Sequence, residues 1–130
     1  MNGLISTTIP LPALEHPIVT KLLRAPLSEV PYHDDTASIT RFFAKNFPVH
    51  LAVHEVSPLL CPPKEYTQLH KHDDSDEVNI IIARNNLLYK IQLGNEEYIA
   101  GNNSAIWIPK GVMHSANVLT GSGYFITLRF

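Results

Sequence analysis

A chain of 130 residues with 45% hydrophobic content is one domain long and globular in composition, and it holds no apolar run near the ~20 residues of a membrane-crossing helix. Ten Lys and Arg against twelve Asp and Glu leave a formal net charge of -2, so no basic field exists to gather nucleic acid or an anionic membrane. Neither partner is expected.

The N-terminal stretch MNGLISTTIPLPALEHP carries no positive residue before its apolar ones and meets Pro10, Pro12 and Pro17 early, unlike a secretory leader. The lone cysteine, Cys61, cannot form an internal disulfide. A cytoplasmic protein is therefore expected. Cys61 sits between Leu60 and Pro62 with no basic neighbour to stabilise a thiolate, so it reads as an inert packing residue.

Residues 1–50 form an extension of short elements that packs on or completes the domain, because Pro10, Pro12, Pro17, Pro26, Pro31 and Pro48 break anything longer. Ile39, Phe42, Phe43 and Phe47 recur at helical spacing behind Asp35 and Thr36, which suits a short capped helix. The same stretch is dense in β-branched and aromatic residues, so a strand over 38–44 competes with it. From residue 51 the texture changes to short runs rich in Val, Ile, Leu and Tyr, broken at intervals of roughly ten residues by turn formers.

This pattern predicts strands at 51–56, 66–72, 77–83, 87–93, 96–100, 105–108, 114–119 and 124–130. The later ones are separated by Arg84-Asn85-Asn86, Gly94-Asn95, Gly101-Asn102-Asn103-Ser104, Pro109-Lys110-Gly111 and Gly121-Ser122-Gly123. Eight short strands in about 80 residues leave edges unpaired unless the sheet closes or doubles over, so an all-β jelly-roll barrel over residues 51–130 is the natural architecture.

His70 and His72 are one residue apart, so on an extended strand both imidazoles project to one face. Glu77 lies at an odd spacing from His72, and the turn chemistry of Asp73-Asp74-Ser75-Asp76 lets it begin an antiparallel strand facing back toward them. His114 follows the Pro109-Lys110-Gly111 turn as a fourth candidate.

These residues resemble the two motifs of the cupins. The segment 64–85, with His70, His72 and Glu77, is similar to G-x5-H-x-H-x3-4-E-x6-G, and the segment 103–118, with Pro109, Gly111 and His114, is similar to G-x5-P-x-G-x2-H-x3-N. Both cores arise together about once in a thousand shuffles of this composition. Lys64, Arg84 and Asn103 stand at three glycine positions, and Val118 stands where the family often has Asn, with Asn117 one place early. The resemblance implies a double-stranded β-helix barrel in which His70, His72, Glu77 and His114 hold one divalent transition metal. Imidazole and carboxylate suit Fe, Mn, Ni, Zn or Cu without choosing among them. Three neutral histidines and one glutamate leave the centre net positive, so an anionic substrate or water is expected to complete it. The competing reading has the histidines satisfied by ordinary hydrogen bonds.

Strand parity places Asn79 and Ile81 on Glu77's face, which makes Asn79 either a substrate-orienting group or a solvated residue at the mouth. His54 is a candidate acid or base against a structural histidine, and Arg129 a candidate carboxylate clamp against an exposed C-terminal arginine. Tyr66, Tyr89, Trp107 and Tyr124 read as barrel packing, and Asp73, Asp74 and Asp76 as a solvated turn. His16, His33 and His50 have no spacing partner and receive no role.

The resemblance implies a metal-dependent enzyme acting on a small anionic or carbonyl-containing molecule, of dioxygenase, isomerase, lyase or decarboxylase type. The alternative is a non-catalytic ligand-binding or sensing module. Against that alternative, a chain this short leaves no room for the DNA-reading domain that sensory cupins often carry. A homodimer formed by sheet extension is the expected assembly.

Overall fold

The computed structural model describes residues 18–130. The readings placed on Pro10, Pro12, His16, Pro17 and the absent leader lie outside the described residues. Eight strands appear among these residues: β1 (Leu23–Arg24), β2 (Ile39–Phe43), β3 (His50–Leu59), β4 (Glu77–Ile82), β5 (Leu87–Leu93), β6 (Glu96–Ala100), β7 (Ser104–Ile108) and β8 (His114–Arg129). The one helical element among the described residues is a single 3-10 turn at Leu27–Glu29. No helix among the described residues is long and apolar enough to cross a membrane.

All strand pairs are antiparallel. One layer runs β1-β2-β3-β8-β4-β7, and the other places β5 between β6 and β8. The long strand β8 serves both layers, since residues 114–121 pair with β5 and residues 123–129 lie between β3 and β4. The result is a jelly-roll barrel. Its apolar core holds Leu27, Ile39, Val56, Tyr66, Ile81, Leu87, Tyr89, Ile91, Val118 and Phe125.

Three local expectations are corrected. The stretch behind Thr36 is strand β2, not a helix, because its β-branched and aromatic residues gain a full register of pairing with β3, from Ile39 opposite Val56 to Phe43 opposite Ala52. Residues 66–72 are extended but not a strand of the sheet. Only Thr67 and His70 form bridges, to His33 and His114, and the amides of Tyr66 and Thr67 are taken by the Asn117 side chain instead of a neighbouring backbone.

Gly121-Ser122-Gly123 is not a hairpin turn, and the two predicted strands around it are one. The chain bends there because Gly121 and Gly123 adopt φ values of 103° and 148°. A Cβ at Gly121 would stand 1.9 Å from the Asn86 carbonyl oxygen, so only glycine lets β8 cross that corner. The four remaining turns fall between strands where the sequence places them.

Period-two alternation fills the interior with cross-strand rows. His50, Arg129 and Glu77 form one row across β3, β8 and β4. Ala52, Thr127 and Asn79 form the next, and His54, Phe125 and Ile81 the third. On β2, Arg41 stands directly opposite His54.

Candidate metal centre

His70, His72 and His114 converge although they come from different parts of the chain. The bridge between His70 and His114, with amide-to-carbonyl distances of 3.0 and 2.7 Å, fixes their backbones side by side. Asn117 fastens the His70 segment to β8: its Oδ1 accepts from the amides of Tyr66 and Thr67 at 2.8 and 2.9 Å, and its Nδ2 donates to the Thr67 carbonyl at 3.1 Å. Gly111, at φ 82°, donates its amide to the His72 carbonyl at 2.7 Å and ties the Pro109-Lys110-Gly111 turn to the same segment. Asp76 pairs its backbone with Phe130 in both directions and accepts the Lys110 amide on its side chain at 2.9 Å, which starts β4 with Glu77 pointing inward.

The three histidines present nitrogen atoms all within 4.8 Å of one another, so the cluster fits a metal site. Glu77 Oε1 lies 3.5 Å from His72 Nε2 and 3.6 Å from His114 Nε2. Two rings are oriented by backbone carbonyls: Nδ1 of His70 faces the Gln68 carbonyl at 2.8 Å, and Nδ1 of His114 faces that of Val112 at 2.9 Å. These bonds place the proton on Nδ1 and turn Nε2 inward, the arrangement a metal-binding histidine needs. His114 Nε2 is buried without a hydrogen-bond partner, an orphan that a cation would satisfy. His72 is oriented differently, because its Nδ1 accepts from Arg129 Nη1 at 3.2 Å. Ligation through His72 Nε2 therefore requires that bond to give way.

Protonation favours the same chemistry at His70, His72 and Glu77, and a proton competes with a cation at His114. Burial holds His70 below its usual pKa, and burial together with the Arg129 charge lowers His72 to about 4, so both imidazoles are neutral near pH 7. For Glu77, burial works to raise the pKa, but His114, Asn79 and His72 outweigh it and keep the carboxyl ionised. His114 is raised: burial opposes protonation, while Glu77 and the Val112 carbonyl more than compensate.

The cluster opens into a cavity of about 270 Å³, a small-molecule volume. Asn79 lines it but is neither solvated nor free, since it is fully buried and donates to Glu77 Oε2 at 2.8 Å and toward Thr127 Oγ1 at 3.4 Å. Arg129 is half-buried in the cavity wall, not an exposed terminal residue, and reaches His50 Nδ1 at 3.3 Å as well as His72. His54 is buried against Tyr66 and Phe125 and also faces the cavity.

His33 and His50, which have no spacing partner in the sequence, line this cavity, as do Arg41 and Tyr32. Tyr32 stacks on the His70 ring with centroids 5.4 Å apart and planes 6° apart, and His33 meets the same ring edge-on at 5.6 Å. Their signal was weak because each sits on a different element with no partner at chelating spacing. Tyr66 and Tyr89 pack in the core with hydroxyls 3.0 Å apart, whereas Trp107 and Tyr124 lie on the outer surface, 52% and 45% exposed. Cys61 is an exposed free thiol on a loop rather than a packing residue.

No family model matches the sequence, and no curated protein matches it. Solved structures do. KdgF from Halomonas sp. superposes with a TM-score of 0.55 at 17% identity, over 78% of this chain and 88% of that one. An RmlC-like cupin from Shewanella frigidimarina NCIMB 400 gives 0.54 at 13% identity, over 85% and 82%. The chain has an RmlC-like cupin fold. A third cupin-fold neighbour, FeII HppE, gives a TM-score of 0.58 at 12% identity, over 91% of this chain and 60% of the longer one. At these identities the likeness concerns the cupin barrel alone, and the chemistry of this chain has to be argued from its own residues.

Proposed function

We propose that this cupin is a metal-dependent enzyme acting on a small anionic or carbonyl-containing molecule at a mononuclear centre held by His70, His72, His114 and Glu77. The observation that carries the reading is the inward convergence of three imidazoles, one with an orphaned buried nitrogen, on an ionised glutamate at the wall of a ligand-sized cavity. Support also comes from the fold neighbour described with FeII. The donor set suits Fe, Mn, Ni, Zn or Cu.

When bound, such an ion supplies Lewis acidity toward a substrate oxygen or lowers the pKa of a water, the chemistry shared by dioxygenase, isomerase, lyase and decarboxylase reactions. The chain's own residues do the rest. Asn79 fixes the Glu77 carboxylate by donating to Oε2, which leaves Oε1 directed at His72 and His114. Arg129 places a fixed positive charge at the cavity wall, where it attracts an anionic group and disfavours protonation of His72 and His50. His50, at a pKa of about 4, and His54, at about 3, are neutral at working pH because they are buried, so each accepts or donates one hydrogen bond without bringing charge. Phe125, Ala52 and Ala116 wall the cavity with apolar surface that limits water around a bound molecule.

Turnover of small carboxylic and carbonyl acids by the metal-loaded protein tests this reading, followed as oxygen uptake, decarboxylation, elimination or isomerisation. His70→Ala and His114→Ala are expected to lose metal and turnover together while keeping a β-type circular dichroism spectrum. Full metal and unchanged turnover in both variants would overturn the ligand assignment. Stoichiometric metal in the wild type with no turnover on any arm would favour the ligand-binding module instead.

The proposal extends to a cytoplasmic homodimer. A single cysteine supports the compartment. The assembly is supported by the outer edge of β7, which has no pairing partner among the described residues and lies beside exposed Trp107 and Phe130. Light scattering that reads one chain per particle sinks the dimer.

A further inference from the structure

Arg41 is 93% buried, as its 7% relative exposure shows, and it lines the metal cavity from β2. Its guanidinium carries five hydrogen-bond donors, yet none finds a hydrogen-bond or ion-pair partner among the described residues. Its contacts are the face of Phe43, 5.2 Å from the ring centroid, and a longer-range attraction to Glu29. The guanidinium nitrogens are not among the fully buried unpartnered atoms, so the buried side chain presents its free donors to the cavity. Directly across the strand pair stands His54, 6% exposed, whose Nδ1 is buried without a partner. Two neighbouring side chains on one interior wall therefore hold unused polar groups.

The cavity's charges point the same way. Its one lining carboxylate among the described residues is Glu77, already engaged by Asn79 and by the histidine cluster. Arg129 is engaged by His50 and His72. With Lys71 at the lining paired to Asp73, that leaves two guanidinium charges against one carboxylate before any cation binds, and a divalent ion at the cluster raises the excess further. An anion is the one ligand class that resolves the imbalance, and a guanidinium fork is shaped for a carboxylate. His54 and the His50-Arg129-Glu77 row are four residues apart along β3, about 13 Å between Cα atoms at ~3.3 Å per residue. The backbone positions are thus apart, while the Arg41 guanidinium leans toward the cluster end, over Phe43 opposite Ala52.

We propose that Arg41 and His54 form a carboxylate subsite, so that the substrate is a small bifunctional acid with one carboxylate on Arg41 and His54 and a second oxygen group at the metal. This rests on the metal-enzyme reading for the second station and on the chain alone for the first. Arg41 takes the carboxylate through two parallel N–H donors, and His54 adds a third donor from its neutral ring. The apolar wall of Ala52, Phe125 and Ala116 covers the carbon skeleton between.

The test titrates malonate and succinate into full-length wild type, Arg41→Met, Arg41→Lys and His54→Phe by calorimetry at constant ionic strength, on metal-loaded and chelator-treated protein. Wild type is expected to bind at least one diacid, Arg41→Met to bind it at least tenfold more weakly, Arg41→Lys to fall between, and His54→Phe to lose a smaller factor. Metal content is expected to stay unchanged in all. Binding by neither diacid, or equal affinity in wild type and Arg41→Met, overturns the subsite. Failure of the metal reading shows separately, as absent metal with Arg41-dependent binding intact on chelator-treated protein.

Discussion

Asn79 and Arg129 show how far a residue's place on a strand determines its job. Parity alone puts Asn79 on Glu77's face, and the structure adds that it is spent on holding that carboxylate. Arg129 reads as an exposed terminal residue until β8 carries it between β3 and β4 into the cavity wall. The chelating pair His70 and His72 was legible because its spacing is local. Arg41, Tyr32, His33 and His50 were not, because their roles arise from pairings between strands far apart in sequence. His54 allows a residue-scale prediction. Its pKa is lowered by burial from 6.5 to about 3. Above pH 6.5 folded and unfolded chains are both neutral there, so it costs nothing. As pH falls below 6.5 the unfolded chain takes up a proton that the folded chain refuses, and stability declines until the folded group titrates near 3. At pH 5 the loss is about 2 kcal/mol, at 1.36 kcal/mol per pKa unit. Denaturant unfolding of chelator-treated protein at pH 7 and pH 5 should show a stability drop smaller by about that amount in His54→Phe than in wild type. Equal drops would contradict a buried neutral His54.

At the scale of elements, the segment at 66–72 is the weak joint of the barrel and the carrier of two site histidines. It is held by two single bridges, by backbone bonds with Tyr32, Asp34 and Gly111, and by Asn117, one place before the motif position that Val118 fills, which takes the amides of Tyr66 and Thr67. Strand periodicity predicted the segment as an ordinary strand because extended chain and paired strand look alike in sequence. The helix expected behind Thr36 failed for a related reason: four apolar residues at helical spacing also suit an alternating strand, and only the β3 partner decides. The Gly121-Ser122-Gly123 corner was misread because glycine marks a turn and a crossing bend equally well. Asn117→Ala leaves two buried amides and one carbonyl unpaired, and at about 1–3 kcal/mol per buried group it is expected to cost about 3 kcal/mol or more in denaturant unfolding. It should also weaken metal retention against a competing chelator by about tenfold or more, because the His70 segment loses its anchor. A loss below about 1 kcal/mol with unchanged retention would show that the bridges and backbone bonds suffice.

For the whole molecule, closure of the two layers around β8 brings one end of the interior to the histidine cluster and the other to the backbone of Arg41 and His54, with apolar wall between them. The barrel was legible from strand spacing and from the paired motifs, since each strand's alternation reports one buried face. The cavity's charge imbalance was not, because it sums residues from β2, β3, β4 and β8. The central claim is that this interior holds one divalent transition metal. Elemental analysis of untagged protein, purified aerobically and also after anaerobic reconstitution, tests it most directly against His70→Ala prepared in parallel. The account predicts near one equivalent of a transition metal per chain, lost in the variant. No metal in either preparation of the native protein, or equal metal in the variant, would contradict it.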